Sequence, residues 1–323
     1  MRRRETVVAE LVAGLVVLFA LGCDRDLGGE PTAPPSAADP VEAPSFAPSL
    51  PTGALASASA IAPRSTVVVA PPRPRCPLDM VLVPKRHVCV DRFEASLVDL
   101  RTGAALSPYY PPDGPKAAYV RKVWDDLHGS GTELEQKLAL PELPAHQRER
   151  AMQPKALSRK GVVPNAYVSG KDAEIACKNA GKRLCTLDEW RTACRGEEDR
   201  DHPYGDRFEL KKCNVVRDTH PGVLLWENPS INHTDPRFNL ITDKQGALLR
   251  KTGATATCAS RWGDDAIYDM VGNLDEWIDD PAGTFVGAFY ARGRRDGCKA
   301  SIENHVFSYA DYSTGARCCK DAD

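Results

Sequence analysis

Ten of the eleven cysteines in this 323-residue chain lie between Cys76 and Cys319. The other, Cys23, ends the segment Ala20-Leu-Gly-Cys23. With Cys23 set aside for a different use, an even set remains. In an exported protein such a set reads as disulfides, here up to five. A metal cluster fits less well, because no two C-x-x-C motifs stand at zinc spacing and the adjacent Cys318-Cys319 does not suit a tetrahedral site. Cys76 and Cys89 flank Met80-Val-Leu-Val-Pro84 and can close a local hairpin.

The N-terminus supplies the case for export. Arg2, Arg3 and Arg4 precede an apolar run from Leu11 to Gly22. That run is too short to span a bilayer and fits a secretory signal over residues 1–22. The cysteine after small residues reads as a lipobox, with Cys23 lipidated and the mature chain held at a membrane of the bacterial cell envelope, facing the periplasm or the cell surface. Residues 23–75 are rich in Pro, Ala and Ser, with Phe46 as their one aromatic residue. Such a segment cannot bury enough apolar surface to offset its ordering entropy. It reads as a tether reaching about 40 Å as a flexible coil. Residues 76–323 then suit one domain. A formal net charge of -2 and the lack of a Lys/Arg run argue against nucleic-acid binding.

Within that domain the local signals are short. Met80–Val83 and His87–Val90 read as strands. Residues 97–163 read as a polar, proline-broken insertion with one helical stretch around Gly131–Leu140. Ser169 caps a helix through Asn179 with Asp172 at its positive end, and Gly181 stops it. Thr186 and Glu189 form a capping box opening a second helix that ends at Gly196. The helical period turns Cys177 and Cys194 toward the core. Few long helices and many irregular loops imply an α+β fold of low regular content, rich in disulfides.

Ala180-Gly-Lys-Arg-Leu-Cys-Thr-Leu-Asp-Glu-Trp190, followed by Ala193-Cys-Arg-Gly196, resembles the "AGKRLPTEAEWE…CRG" signature of the formylglycine-generating enzyme, or sulfatase-modifying-factor, family. Tyr268-Asp-Met-Val-Gly-Asn-Leu-Asp-Glu-Trp277 is similar to that family's "YDMVGNVWEW", and Gly315-Ala-Arg-Cys318 to its "GFRC". Asp91-Arg-Phe-Glu94 and His202-Pro-Tyr-Gly-Asp206 match shorter elements. The resemblance runs from about Cys76 to Asp323 and implies the C-type-lectin-like variant of an α+β fold. It also implies bridges Cys177–Cys318 and Cys194–Cys298. Cys185 with Cys319, and Cys213 with Cys258, follow only by elimination, and an exchange of Cys318 and Cys319 between Cys177 and Cys185 stays open.

Two kinds of chemistry follow from the resemblance. A structural calcium ion is implied at Asp269 and Glu276 through their side chains and at Gly272 and Leu274 through their carbonyls; such oxygens suit a hard cation. A second family site would begin at Asn214. The copper chemistry of active members needs two thiolates, soft ligands that suit Cu(I). Those cysteines follow a "GGSW" motif, whose counterpart here is Val286-Gly-Ala-Phe-Tyr-Ala291. Ala291 stands at the first cysteine, Asp296 at the second and Ala288 at the motif's serine. The residues therefore argue against copper and against catalysis of the family's type. The seven histidines show no paired ligand spacing, and Arg292, Arg294 and Arg295 read as a solvated loop. The expectation is a non-catalytic module binding a peptide, glycan or envelope protein. The alternative is an enzyme acting on envelope peptides through a copper-independent or rearranged site.

Overall fold

A hairpin opens the described residues, and its ends are stapled together. The computed structural model describes residues 75–323; the signal segment, Cys23 and all but the last residue of the expected tether lie outside them. Strand β1 (Met80–Val83) pairs antiparallel with β2 (Val88–Asp91), from Met80 opposite Asp91 to Val83 opposite Val88. Pro84 starts the turn and His87 ends it in the left-handed region at φ 50°. Cys76–Cys89 closes this unit, with Cα atoms 5.5 Å apart.

Next come β3 (Ala95–Asp99), α1 (Gly114–Leu127), α2 (Glu133–Lys137), α3 (Ala145–Arg148) and β4 (Pro154–Ser158). The segment that reads as an irregular insertion therefore begins and ends in strands: β3 and β4 pair along their whole length, Ala95 opposite Ser158. Helix α1 was not expected. Its start carries a clear signal in Asp113, whose side chain accepts from the Lys116 N–H, with proline in the first turn. Its inward face is narrow, Ala117 and Trp124 being its main apolar anchors, so its periodicity is weak. Helix α2 places Glu135 in a fully buried position. The Glu135 carboxylate accepts from Arg237 at 2.6 Å and from the N–H groups of Gly129 and Gly131, both at 3.0 Å. Arg237 also pairs with buried Asp235. Burial alone would raise Glu135, yet these donors hold it below the ordinary value of 4.5.

Helix α4 (Gly170–Asn179), β5 (Arg183–Leu184) and α5 (Leu187–Arg195) follow. Ser169 caps α4, accepting from the Asp172 N–H at 3.1 Å. Thr186 and Glu189 form the reciprocal capping box of α5, and Trp190, Ala193 and Cys194 are its buried face. A turn-rich stretch then carries α6 (Pro221–Trp226), β6 (Thr242–Asp243) and β7 (Gly246–Ala247). The last elements are β8 (Ala259–Trp262), β9 (Asp265–Tyr268), β10 (Asp275–Trp277), β11 (Phe285–Val286), β12 (Ser301–Ile302), β13 (Thr314–Ala316) and β14 (Cys318–Asp321).

Two four-stranded sheets organise these pieces, in the orders β1-β2-β14-β5 and β12-β11-β10-β13. The C-terminal strand β14 is central to the first, pairing with β2 on one side and β5 on the other. Successive side chains of a strand point to opposite faces. Cys318 accordingly packs with Cys177, Leu184 and Trp277, while Cys319 packs with Val81, Cys185 and Trp190. The bridges are Cys177–Cys318 and Cys185–Cys319, with Cα separations of 5.5 and 4.9 Å. Cys194–Cys298 ties α5 to the turn at Gly297–Lys299, and Cys213–Cys258 closes the turn-rich stretch. The architecture is an α+β arrangement of short elements pinned by five disulfides.

Candidate functional site

The loop joining β9 to β10 is shaped by backbone before side chains enter. Asp269, Gly272 and Asn273 take φ values of 59°, 85° and 66°. A Cβ at position 272 would stand 2.3 Å from the Asn214 carbonyl oxygen, so the loop closes on Asn214 only with glycine there. Asn214 is spent on this packing: its side-chain amide donates to the Leu248 carbonyl and to Asn273 Oδ1, and its Oδ1 accepts from Arg217.

Asp269 and Glu276 come together around Arg317, which lies wholly inside the protein. Glu276 Oε1 accepts from Arg317 Nη2 at 2.7 Å and from Nε at 3.0 Å. Its Oε2 accepts from Arg317 Nε at 2.9 Å and from Trp190 Nε1 at 2.7 Å. Asp269 Oδ2 accepts from the Gly253 N–H at 2.6 Å. Glu94, from the motif before β3, joins them and accepts from Asn273 Nδ2 at 2.7 Å and from the Leu274 N–H at 3.1 Å. One guanidinium thus faces three buried carboxylates, Glu276 in direct contact and Asp269 and Glu94 through space. Burial pushes Asp269 up to about 6, and burial with the charges of Asp269 and Glu276 pushes Glu94 well above its usual range.

The expected calcium ligands Asp269, Gly272, Leu274 and Glu276 meet that ion's requirements in part. Asp269 and Glu276 offer hard oxygens, and the negative charge around Arg317 exceeds the positive. Yet the four acceptor positions of Glu276 are already filled by Arg317 and Trp190, and among the described residues no three His, Cys, Asp or Glu side chains converge as a metal cage. In this arrangement Arg317 is the cation against Glu276. Glu94 is the member of the group that sequence reasoning did not assign; its signal was a glutamate ending a motif in an otherwise buried strand region.

The stretch Val286–Ala291 carries no thiol. Ala288 sits in the left-handed region at φ 67°, which costs a non-glycine residue about 1 kcal/mol. Ala291 is half-buried, and Asp296 is exposed at the start of the Gly297–Lys299 turn. Cys298 is buried and bonded to Cys194. The three arginines diverge. Arg292 pairs with buried Asp275 and stacks on Phe289, Arg295 stacks on Phe208, and Arg294 donates to the Ser301 carbonyl.

A polar cluster lies beside Phe289 that sequence spacing did not reveal. His220 Nε2 is 3.0 Å from the Tyr312 hydroxyl, and Tyr309 donates to Asp311 at 2.5 Å. His233 Nδ1 is 3.9 Å from Asp311. Burial, with the neighbouring His233, lowers His220, so it is neutral near pH 7. The members are far apart in sequence and meet only through the packing of Tyr312 against His220, His233 and Phe289.

The family model described as "Sulfatase-modifying factor enzyme 1-like domain" matches residues 141–303. The Bos taurus protein "Inactive C-alpha-formylglycine-generating enzyme 2" is 28% identical over 160 residues, 48% of this chain and 46% of that one. The chain therefore spans about half the length of that relative. Among solved structures, the Major Tropism Determinant I1 variant aligns with a TM-score of 0.38 and 14% identity, over 78% of this chain and 54% of that one. CarF aligns at 0.33 and 13%, over 73% and 87%. Neither score is high enough to fix the fold variant. The family match takes in half of the chain, including α4, α5, the Asp269–Glu276 loop and the Val286–Ala291 stretch: the chain belongs to the sulfatase-modifying-factor, or formylglycine-generating-enzyme-like, family.

Proposed function

We propose that this domain is a non-catalytic binding or scaffolding module of the cell envelope, with a C-type-lectin-like variant of the α+β fold. It is carried on the lipid at Cys23 and the tether of residues 23–75, and its partner is a peptide, glycan or envelope protein. One observation carries the reading. Ala291 and Asp296 replace the thiol pair that the family's copper oxidation requires, and all ten cysteines of the described residues are spent in disulfides. A soft Cu(I) ion is left without a two-sulfur site. The relative named as inactive supports the same direction.

Copper competition tests it. The oxidised full chain is expected to take up no stoichiometric Cu(I) from a chromophoric chelator. Tight one-to-one uptake, abolished in Cys298→Ser, would overturn the proposal and restore oxidase chemistry.

The polar cluster of His220, His233, Tyr309, Asp311 and Tyr312 favours a second reading, an enzyme using a copper-independent or rearranged site on envelope peptides. It predicts that a captured peptide leaves with an altered mass, a change lost in Tyr309→Phe. The binding reading predicts a partner retained at stoichiometric level with its mass unchanged.

Calcium at Asp269, Gly272, Leu274 and Glu276 is part of the proposal and requires Glu276 to turn away from Arg317. The surplus of carboxylates over guanidinium supports it. Millimolar calcium is then expected to raise the melting temperature by several degrees over chelator, an effect lost in Asp269→Asn. Identical melts in calcium and chelator would refute it.

A further inference from the structure

The outer face of α5 builds a second site. Asp188, Arg191, Thr192 and Arg195 recur at three- and four-residue spacing, so they share the side of the helix opposite Trp190, Ala193 and Cys194. All four line a cleft of about 740 Å³. Lys85 and Arg86 reach it from the turn between β1 and β2, and Lys299 from the turn that carries Cys298. Five cations thus face two lining carboxylates, Asp188 and Asp199.

Most of these charges have internal partners. Arg86 bonds Asp188 and Thr192, Lys85 donates to the Glu197 carbonyl, and Arg195 pairs with Asp199 and with Asp201, which Lys299 shares. Arg191 differs: among the described residues its guanidinium has no hydrogen bond or ion pair. Its Nε is buried without a partner, and so is the Nε of Arg195. A ligand in the cleft cannot reach a nitrogen sealed from solvent; the Arg191 Nη1 and Nη2, which are unbonded and not sealed, are the donors free to take an acceptor there. The walls are rigid, because Cys194–Cys298 fixes α5 to the Lys299 turn and Cys76–Cys89 fixes the hairpin that carries Lys85 and Arg86. Backbone held in place this way lowers the ordering cost of binding an anion.

We propose that this cleft binds a phosphate or sulfate group, with the Arg191 guanidinium as its main donor and Arg195 and Lys299 beside it. Guanidinium donors suit such oxyanions because their planar fork bonds two oxygens at once. None of residues 286–291 lines the cleft, so the proposal holds whether or not the domain is catalytic.

Isothermal titration of the full chain with inorganic phosphate, inorganic sulfate and, as control, chloride at matched ionic strength tests it. Saturable binding of phosphate or sulfate, and none of chloride, is expected, and the tighter of the two identifies the group. Arg191→Gln is expected to weaken it at least about tenfold. Lys299→Gln, at an exposed position that leaves folding intact, is expected to weaken it less. Lys122→Gln on α1 should leave it unchanged. Non-saturating heats with both oxyanions, or wild-type affinity in both Arg191→Gln and Lys299→Gln, would overturn the proposal.

Discussion

Replacing Arg317 with methionine is expected to cost about 3–5 kcal/mol of stability at pH 8 in chelator, enough to lower the chemical-denaturation midpoint sharply. Methionine roughly fills the volume but leaves Glu276, Glu94 and Asp269 buried without their shared cation. It also orphans the carbonyls of Asp91 and Tyr268, which accept from Arg317 at 2.8 Å each. The loss should shrink toward pH 5. Asp269 and Glu94 already sit above their ordinary values of 3.8 and 4.5 in the folded state. A carboxyl raised on folding stabilises fully below its unfolded pKa and loses that contribution as pH rises through its folded one. Without Arg317 both rise further, so the variant regains stability on protonation. Equal losses at pH 5 and pH 8 would show that packing, and not charge, governs this position.

The second large effect belongs to the bridge between α4 and β14. With the adjacent Cys185–Cys319 bridge left in place, removing it as the double variant Cys177→Ala, Cys318→Ala opens a ring of only about ten residues, for which the chain-entropy model gives about 3 kcal/mol. In a domain of this size that is a fall of roughly 6 °C or more in melting temperature. The bridge spans 141 residues, whereas Cys76–Cys89 spans 13. If closure entropy dominates, the matching Cys76→Ala, Cys89→Ala variant should lose about as much, because Cys185–Cys319 already closes most of the longer loop. Scanning calorimetry of the two variants decides the point. A loss from Cys177→Ala, Cys318→Ala exceeding the other by about 2 kcal/mol or more would place the effect in native packing instead.

What could be read from the residues divides along sequence distance. The caps at Ser169 and Thr186 are local chemistry: a side-chain oxygen meets an N–H three residues on, so both helices were readable from their first residues. The strands at Met80–Val83 and Val88–Asp91 were likewise marked by apolar residues on either side of a proline turn. Helix α1 had its cap in plain view at Asp113, but Ala117 and Trp124 make too thin an apolar stripe to register as a period. Strands β3 and β4 lie at the edges of the stretch that reads as an insertion; their pairing spans more than fifty residues and no local pattern encodes it.

The candidate sites show the same division more sharply. The missing thiols at positions 291 and 296 are facts of the sequence alone, and no tertiary arrangement can supply them. That Glu276 faces a guanidinium, by contrast, depends on β10 and β13 lying parallel and side by side, which carries Arg317 to the loop from forty-one residues away. The His220–Tyr312 pair and the cleft over α5 also need three or more distant segments brought into contact.

The residue order of this chain by itself determined its family, its helix starts and the absence of a copper thiol pair, because each rests on residue identity or on neighbours within a few positions. Only the tertiary structure decided which of two adjacent cysteines meets which partner, which cation stands against the buried glutamate, and where unpaired guanidinium donors collect. Those outcomes depend on which strand face turns toward which core, a choice fixed by long-range packing.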